Sequence, residues 1–386
     1  MEVLLILSDN PQAMKTKQVF FDASSTIDFH KVGLNPNLIL VFSNRELLQE
    51  SNIGQEIRQA FPQAILAGCS TAGEIGQSMV KENTASITFI EFEKTQIIYR
   101  ERQINEAAES LSSGAALIES LPREKLKHVF VLSDGLNING SQLVIGMRDK
   151  LDEHCKITGG LAGDGAKFEE TLLLNNHGEL KNNTVIALGF YGDHLNVGYG
   201  SMGGWNSFGI EREVTRSVNN VLYELDGKPA LELYKSFLGD QAQNLPASGL
   251  LFPLSMRSES DKPPLVRTIL GISEEEQSLT FAGDVPTGSY VRLMKANVDR
   301  LIDGAEEAAQ IAKVDDNSLA ILISCVGRKL VLKQLVEEEV ESVQEVLGEN
   351  CSLTGFYSYG EIAPFKKDAT CELHNQTMTI TTFREN

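Results

Sequence analysis

The sequence predicts a mixed α/β protein of two domains, built from repeated strand-helix-strand units with added antiparallel hairpins. Three observations predict it. Short apolar runs of buried-strand type recur at 37–43 (NLILVFS), 128–134 (HVFVLSD) and 318–325 (SLAILISC). Each leads through a stretch of helical period to a second strand-like run, the pattern of βαβ-like units. Each second run then enters a glycine-rich loop that carries an acid: Glu74, Asp164 or Glu361. The first loop reads GCSTAGEI over 68–75 and the third GFYSYGEI over 355–362, a shared glycine-glycine-acid frame. The middle loop has one residue fewer between its glycines, so it aligns less closely.

The elements come in order. MEVLLILSDN at the start reads as a strand: it has no basic region and no small-residue cleavage site, which argues against a signal peptide. The strand at 37–43 is followed by a helix over 51–61 and by AILAGCSTAGEI. Residues 86–100 read as a hairpin turning near Lys94. The second unit runs from 128–134 through a helix in SQLVIGMRDKL to CKITGGLAGDG. Residues 171–180 read as a hairpin around Asn175–Gly178, and 185–191 continues the sheet. Asp226-Gly227 marks a turn, and Pro229 suits the first turn of a helix in ALELYKSFL. Further strands fill 265–293, with turns at Gly271 and at Pro286-Thr287-Gly288. A helix spans 301–312. The third unit leads through KQLVEEEVESVQEVL to CSLTGFYSYGEI, and TMTITTF at 377–383 closes the chain. The glycine-rich GYGSMGG stretch is the best place for a division, giving domains 1–210 and 211–386.

Bulk properties narrow the function. With 386 residues the chain is too long for one ordinary core, and 42% hydrophobic residues can fill two. A net charge of -19 argues against nucleic acid and anionic membranes as partners, since both are polyanions. No apolar run approaches the ~18 residues of a membrane span. A cytoplasmic location is expected. The cysteines Cys69, Cys155, Cys325, Cys351 and Cys371 show no CxxC or zinc spacing, and read as free, buried thiols.

Several residues are candidates for chemistry. Cys69 could be a nucleophile, making the chain a thiol enzyme, but no histidine lies nearby in sequence and the third loop has Phe356 at its place. The first and third loops offer a ligand site instead. Gly68, Cys69, Ser70 and Glu74, with Tyr357, Tyr359 and Glu361, would present backbone N–H groups beside a fixed carboxylate. Such a site suits a small ligand with an anionic and a cationic end. Tight turns without a ligand are the alternative. GYGSMG at 198–203 matches GxGxxG, yet the next stretch, GWNSFGIEREVTRSV, is no convincing helix, so dinucleotide binding is rejected. Among the histidines, His194 and His128 could serve as an axial ligand to haem iron. His154 and His177 read as solvated.

At this point the sequence resembles the FIST family, which pairs N-terminal and C-terminal FIST domains. The resemblance rests on AILAGCSTAGEI, TGGLAGDG, YELDGKPALELY, FAGDVPTGSYVRLM and TGFYSYGEIAP, in this order. It implies a sensor of small ligands in bacterial signal transduction, not an enzyme. Stand-alone members imply haem b as cofactor, nitric oxide as signal, and a separate histidine kinase or cyclic-di-GMP enzyme as partner. His194 would then be the metal ligand, with His128 second. The other implied ligand class is amino acids and related metabolites. The acids Glu74 and Glu361 suit an amine better than anionic haem propionates. Homo-oligomerisation stays open.

Overall fold

Three stretches of the chain build three sheets on the same plan. In this computed structural model the described residues are 6–7, 14–258, 264–316, 318–365 and 369–386. In the first unit, strands Leu38–Ser43 and Ile65–Ser70 run parallel, joined by helices Arg45–Glu50 and Ile53–Ala60. A return strand, Ala85–Phe92, lies antiparallel beside Leu38–Ser43, and Met14–Phe21 lies outside it. The second unit repeats this with Leu126–Ser133 and Lys156–Leu161 around helix Gly140–Arg148, return strand Thr184–Tyr191 and outer strand Gln96–Gln103. The third uses Leu319–Cys325 and Ser352–Ser358 around helices Val326–Leu332 and Val336–Leu347. Its return strand is Met378–Glu385 and its outer strand Leu195–Met202.

The units are interlocked by exchanged hairpins. After its second parallel strand, each unit gives a hairpin to a neighbour. Glu74–Gly76 joins Ser352–Ser358 of the third unit. Gly360–Pro364 joins Lys156–Leu161 of the second. Leu173–Leu174 joins Ile65–Ser70 of the first, and the cycle closes. The inner sheet faces meet in one apolar core that includes Phe42, Phe130, Ile323, Phe356, Phe190 and Phe383. The rings of Phe42 and Phe356 lie 4.8 Å apart, and those of Phe190 and Phe383 lie 5.1 Å apart. Each such side chain contributes roughly 1.5–3 kcal/mol on burial. Helices pack on outer faces, which is why the parallel strands read as continuous apolar runs.

One glycine per unit sets the register. A Cβ on Gly68, Gly159 or Gly355 would stand 2.2, 2.0 or 1.8 Å from the carbonyl oxygen of Val41, Val131 or Leu322 on the parallel neighbour. These positions are therefore equivalent. Counting on, Gly73, Asp164 and Gly360 correspond, and Glu74 corresponds to Glu361. The missing residue of the middle loop places its acid one position early.

A second body is inserted into the third unit. After Leu195–Met202 the chain builds a separate eight-stranded sheet between Asn206 and Lys295, with helix Ala230–Leu238 packed on it. It returns through helix Val298–Ala312 to Leu319–Cys325. Two mixed α/β bodies result, but the chain does not divide at residue 210. That point falls inside strand Asn206–Val218, and Leu195–Met202 pairs with Met378–Glu385 near the C-terminal end.

Other local expectations change for topological reasons. Residues 86–100 do turn near Lys94, but Ala85–Phe92 and Gln96–Gln103 enter different sheets and form no hairpin. Likewise Thr184–Tyr191 leaves the sheet that holds the hairpin before it. Gly271 is no turn: it lies within strand Ile269–Ser273, where the register shifts. The GYGSMG glycines serve packing. A Cβ on Gly198 or Gly200 would stand 1.9 or 2.3 Å from the carbonyl oxygens of Ala312 or Ala308, so helix Val298–Ala312 crosses there. Of the expected N-terminal strand, Ile6–Leu7 pairs with Lys17 and Gln18, and the rest lies outside the described residues.

Candidate functional site

The two matching acids are buried and identically held. Glu74 accepts from Thr71 Oγ1 at 2.5 Å, and from Thr84 through its Oγ1 at 2.9 Å and its N–H at 3.3 Å. Glu361 accepts from Ser358 Oγ at 2.6 Å, and from Thr377 Oγ1 at 3.0 Å and N–H at 3.1 Å. Thr84 and Thr377 each stand one residue before a return strand. In the second unit the same place is Asn183, and its N–H donates to Asp134 at 3.0 Å. A buried acid thus caps the start of every return strand. Burial outweighs the donors and pushes Glu74 up to about 7 and Glu361 up to about 8.

Glu74 alone of the two borders the cavity of about 770 Å³. This cavity lies where carboxyl ends of parallel strands meet, the usual place for ligands in open α/β sheets. All three units contribute. The first supplies Asn44 and Arg45 after its first strand and the loop Thr71–Glu74 after its second. The second supplies Asp164 and Lys167, and the third supplies Lys329, Lys333 and Gln334. Gly73 has φ +141°, and a Cβ there would stand 2.9 Å from Lys329 Nζ, so only glycine suits this wall.

Both signs of charge face this space. Arg45 pairs with Asp164 at 3.2 Å and with Glu169 at 3.2 Å. Lys329 donates to Ala72 O at 2.7 Å and pairs with Glu82. Lys167 donates to Glu46 and holds that carboxyl down to about 2. Asp164 also accepts N–H groups of Phe168, Glu169 and Glu170 at 2.9–3.0 Å, which fixes the loop. Among the described residues, Asn44 Oδ1 and Arg45 Nε are buried without a hydrogen-bond partner. One is an acceptor and one a donor, and both residues border the cavity.

The other expected residues lie outside or behind this cavity. Gly68 is sealed against Val41, and Ser70 Oγ accepts from Leu172 N–H at 2.9 Å. Tyr357 is buried behind the cavity wall, with its hydroxyl donating to Glu339 at 2.8 Å and Lys329 Nζ 5.8 Å from its ring centre. Tyr359 donates to Asp164 and stacks on Phe168 at 4.3 Å. Glu361 lies at the junction of the third and second units, so the two acids do not share one cavity. Cys69 is fully buried in the central core, and burial pushes its thiol well above the usual range. This is the reverse of what a thiolate nucleophile needs. Sequence reasoning missed Asn44, Arg45, Lys167 and Lys329. Their signal was position: segments that follow parallel strands, where crevices open.

The two expected haem ligands stand in opposite surroundings, one exposed and one buried. His194 is exposed in the turn before Leu195–Met202, while its carbonyl accepts from Asn386 N–H at 2.9 Å. His128 is buried, bonded to Thr158 Oγ1 at 2.8 Å and set edge-on to Phe383 at 6.0 Å. Burial pushes His128 down to about 3. A neutral imidazole is available there, but filled core surrounds it, with no room for a macrocycle. Neither histidine is among the residues that line the large cavity.

Known proteins resemble this chain along most of its length. Among relatives, an uncharacterized protein of Methanocaldococcus jannaschii is 24% identical over 371 residues, covering 86% of this chain and 70% of its own length. Among the described residues, no helix is long and apolar enough to cross a membrane. FIST domains are associated with sensing of small ligands in signal transduction. The FIST N domain matches residues 37–228 and the FIST C domain residues 230–364, so the chain belongs to the FIST family.

Proposed function

We propose that this protein senses a small polar metabolite carrying both an anionic and a cationic group, of the amino-acid type. The observation that carries this reading is the cavity that all three units share, lined among others by Asn44 and Arg45, whose Oδ1 and Nε are buried without a partner. Arg45, Lys329 and Lys333 would receive the anionic end. Glu74, Glu82 and Asn44 would receive the cationic end. A ligand there would replace or join internal ion pairs, so its charges would be matched on both sides.

The geometry also supports a route outward. Lys329 faces the cavity, and its neighbour Arg328 is fully buried on the other side of the same helix. Arg328 donates to Gly203 O and to Leu301 O, the latter at 2.7 Å. Gly203 begins the connection to the inserted sheet. Ligand binding that shifts helix Val326–Leu332 would bias the position of that sheet, a population shift a partner can read. The partner would be a signalling enzyme such as a histidine kinase or a cyclic-di-GMP enzyme. That part, like a haem-based nitric oxide response, rests on the family and not on any residue described above.

A thermal-shift screen of amino acids and related zwitterions tests the reading. A ligand at ~100 times its dissociation constant stabilises by about 2.7 kcal/mol. Arg45→Ala and Lys329→Ala should each abolish that shift. A stoichiometric Soret band that moves with nitric oxide, in a protein deaf to every zwitterion, would overturn it.

A further inference from the structure

Glu74 is a buried carboxyl at the cavity with no cation of its own. Its hydrogen bonds all come from neutral groups, those of Thr71 and Thr84. Among the described residues no cation bonds to it. The charge that acts on it is Lys329, whose ammonium already meets Ala72 O at 2.7 Å and pairs with Glu82. Lys81 stands opposite Glu74 in the hairpin register, but its Nζ lies 4.2 Å from the centre of the Phe20 ring. The strand on the other side brings Phe356, which belongs to the central core. Further round the cavity, Arg45 is held by Asp164, Glu169 and Glu46, and Lys167 by Glu46. Lys333 also lines it, and Glu337 accepts from Val80 N–H at 3.5 Å.

A buried carboxylate without a paired cation is costly, and such a group takes up a proton instead. The hydrogen bonds show which oxygen can carry it. Thr71 Oγ1 accepts from Gly73 N–H at 3.2 Å and donates to Glu74 Oε1. Oε2 meets the hydroxyl of Thr84 at 2.9 Å, and a hydroxyl can turn to accept as well as donate. Oε2 is therefore the place for the proton. Glu361 is a built-in comparison. Its donors match those of Glu74, it is fully buried, and it is not among the residues that line the cavity.

We infer, resting on the reading that this cavity takes a ligand with a cationic end, that Glu74 makes binding proton-linked: it stands neutral in the free protein and releases the proton of Oε2 to solvent when an ammonium group enters, so that occupancy depends on ligand and pH together. The carboxylate left behind pairs with the ammonium, and no other bond changes. A ligand without a cation gives that proton no reason to leave, so Glu74 also sets the specificity of this end. Below the midpoint of Glu74, affinity for an ammonium-bearing ligand falls about tenfold per pH unit; above it, affinity levels off. Glu361, sealed from the cavity, takes no part.

Infrared spectroscopy tests this through the C=O stretch of protonated carboxyls, followed in wild type, Glu74→Gln and Glu361→Gln from about pH 5 to about pH 9. Ordinary carboxyls are ionised over most of that range, so each variant should lose one component of the band. Methylammonium chloride, against sodium chloride at equal concentration, is the probe for the cationic end. It should lower the midpoint of the Glu74 component by about one pH unit or more and leave the Glu361 component in place. A Glu74 component that is missing throughout, or that methylammonium does not move, overturns the inference, and so does an equal shift of both. If Glu74→Gln does not fold, Thr84→Val takes its place: it removes a donor to Glu74 and should raise the midpoint of the same component. Calorimetry with glycine, β-alanine and L-lysine at about pH 6, in two buffers of different ionisation heat, separates this inference from the sensing reading. Binding that releases about one proton, lost in Glu74→Gln, supports both. Binding whose heat ignores the buffer overturns the proton link and leaves the zwitterion sensor standing. Methylammonium that ionises Glu74 while none of the three binds upholds the link and sinks the sensor.

Discussion

Glu74 and Glu361 lie 287 residues apart in sequence and are held by matching donors: a hydroxyl three residues back, and a threonine one residue before the return strand. Two buried carboxyls with raised values make stability depend on pH. Their folded values, about 7 and about 8, exceed the value near 4.5 of a free glutamate. The folded protein therefore binds more protons than the unfolded chain in that window. Stability conferred by these groups is full below about pH 4.5 and is lost as pH rises through 7 and 8. Each group contributes a slope of about 1.4 kcal/mol per pH unit at most. Glu361→Gln mimics the protonated form and should flatten the fall between pH 5 and 8. Denaturant titrations across that range check it; an unchanged slope counts against the buried neutral acid.

The register glycines give a second prediction. At Gly355 a methyl group would stand 1.8 Å from Leu322 O, and backbone cannot yield as a side chain tip does. Gly355→Ala should cost about 3 kcal/mol or more, or give no soluble protein. Gly165→Ala is the control for space: nothing lies within 4 Å of its Cβ, so only the strain of φ +73° is felt, about 1 kcal/mol. Equal losses for the two would remove close strand approach as the reason for the glycine.

Much of this fold was legible because its repeats leave local marks. Buried parallel strands read as continuous apolar runs, and the glycine-acid loops recur at fixed offsets from them. The exchange of hairpins was not legible. Glu74–Gly76 pairs with a strand nearly 280 residues away, and no local pattern names a partner at that distance. For the same reason 86–100 looked like a hairpin: two alternating strands with a turn predict pairing, but Glu385 takes the N–H groups of Glu93, Lys94 and Thr95 and the chain passes to the next sheet. The insertion hid inside a smooth composition. Of the site, the loop with Glu74 was found from its glycines. Arg45 and Lys329 were not, because a lone basic residue just after a strand gains meaning only when three units meet.

Cys69 supplies a kinetic prediction. It is sealed in the central core beside Phe42 and Phe356 and has its thiol pushed well up by burial. All five cysteines are buried and free. Alkylation by iodoacetamide at pH 8 should be slow in the native state for all of them and follow unfolding. Mass spectrometry after brief exposure, with and without denaturant, checks this. Fast, selective labelling of Cys69 in the native protein would restore the thiol-enzyme reading.

The last prediction separates stability from signal. Arg328 and Glu339 are both fully buried, paired at 2.6 Å, and Glu339 also accepts from Ser324 at 3.1 Å and Tyr357 at 2.8 Å. Removing one partner leaves an unpaired buried charge, so Glu339→Ala should cost roughly 3–5 kcal/mol. Replacing both by apolar groups of similar volume removes that penalty, and Arg328→Met with Glu339→Leu should regain most of the loss. The double variant still lacks the bonds from Arg328 to Gly203 O and Leu301 O, which tie the cavity helix to the segments leading into and out of the inserted sheet. It should therefore fold well yet show faster hydrogen exchange over 203–206 and a Trp205 emission insensitive to a zwitterion that stabilises the protein. If the double variant transmits ligand binding to Trp205 as wild type does, the route runs elsewhere, and Arg328 is there only to hold the helix in place.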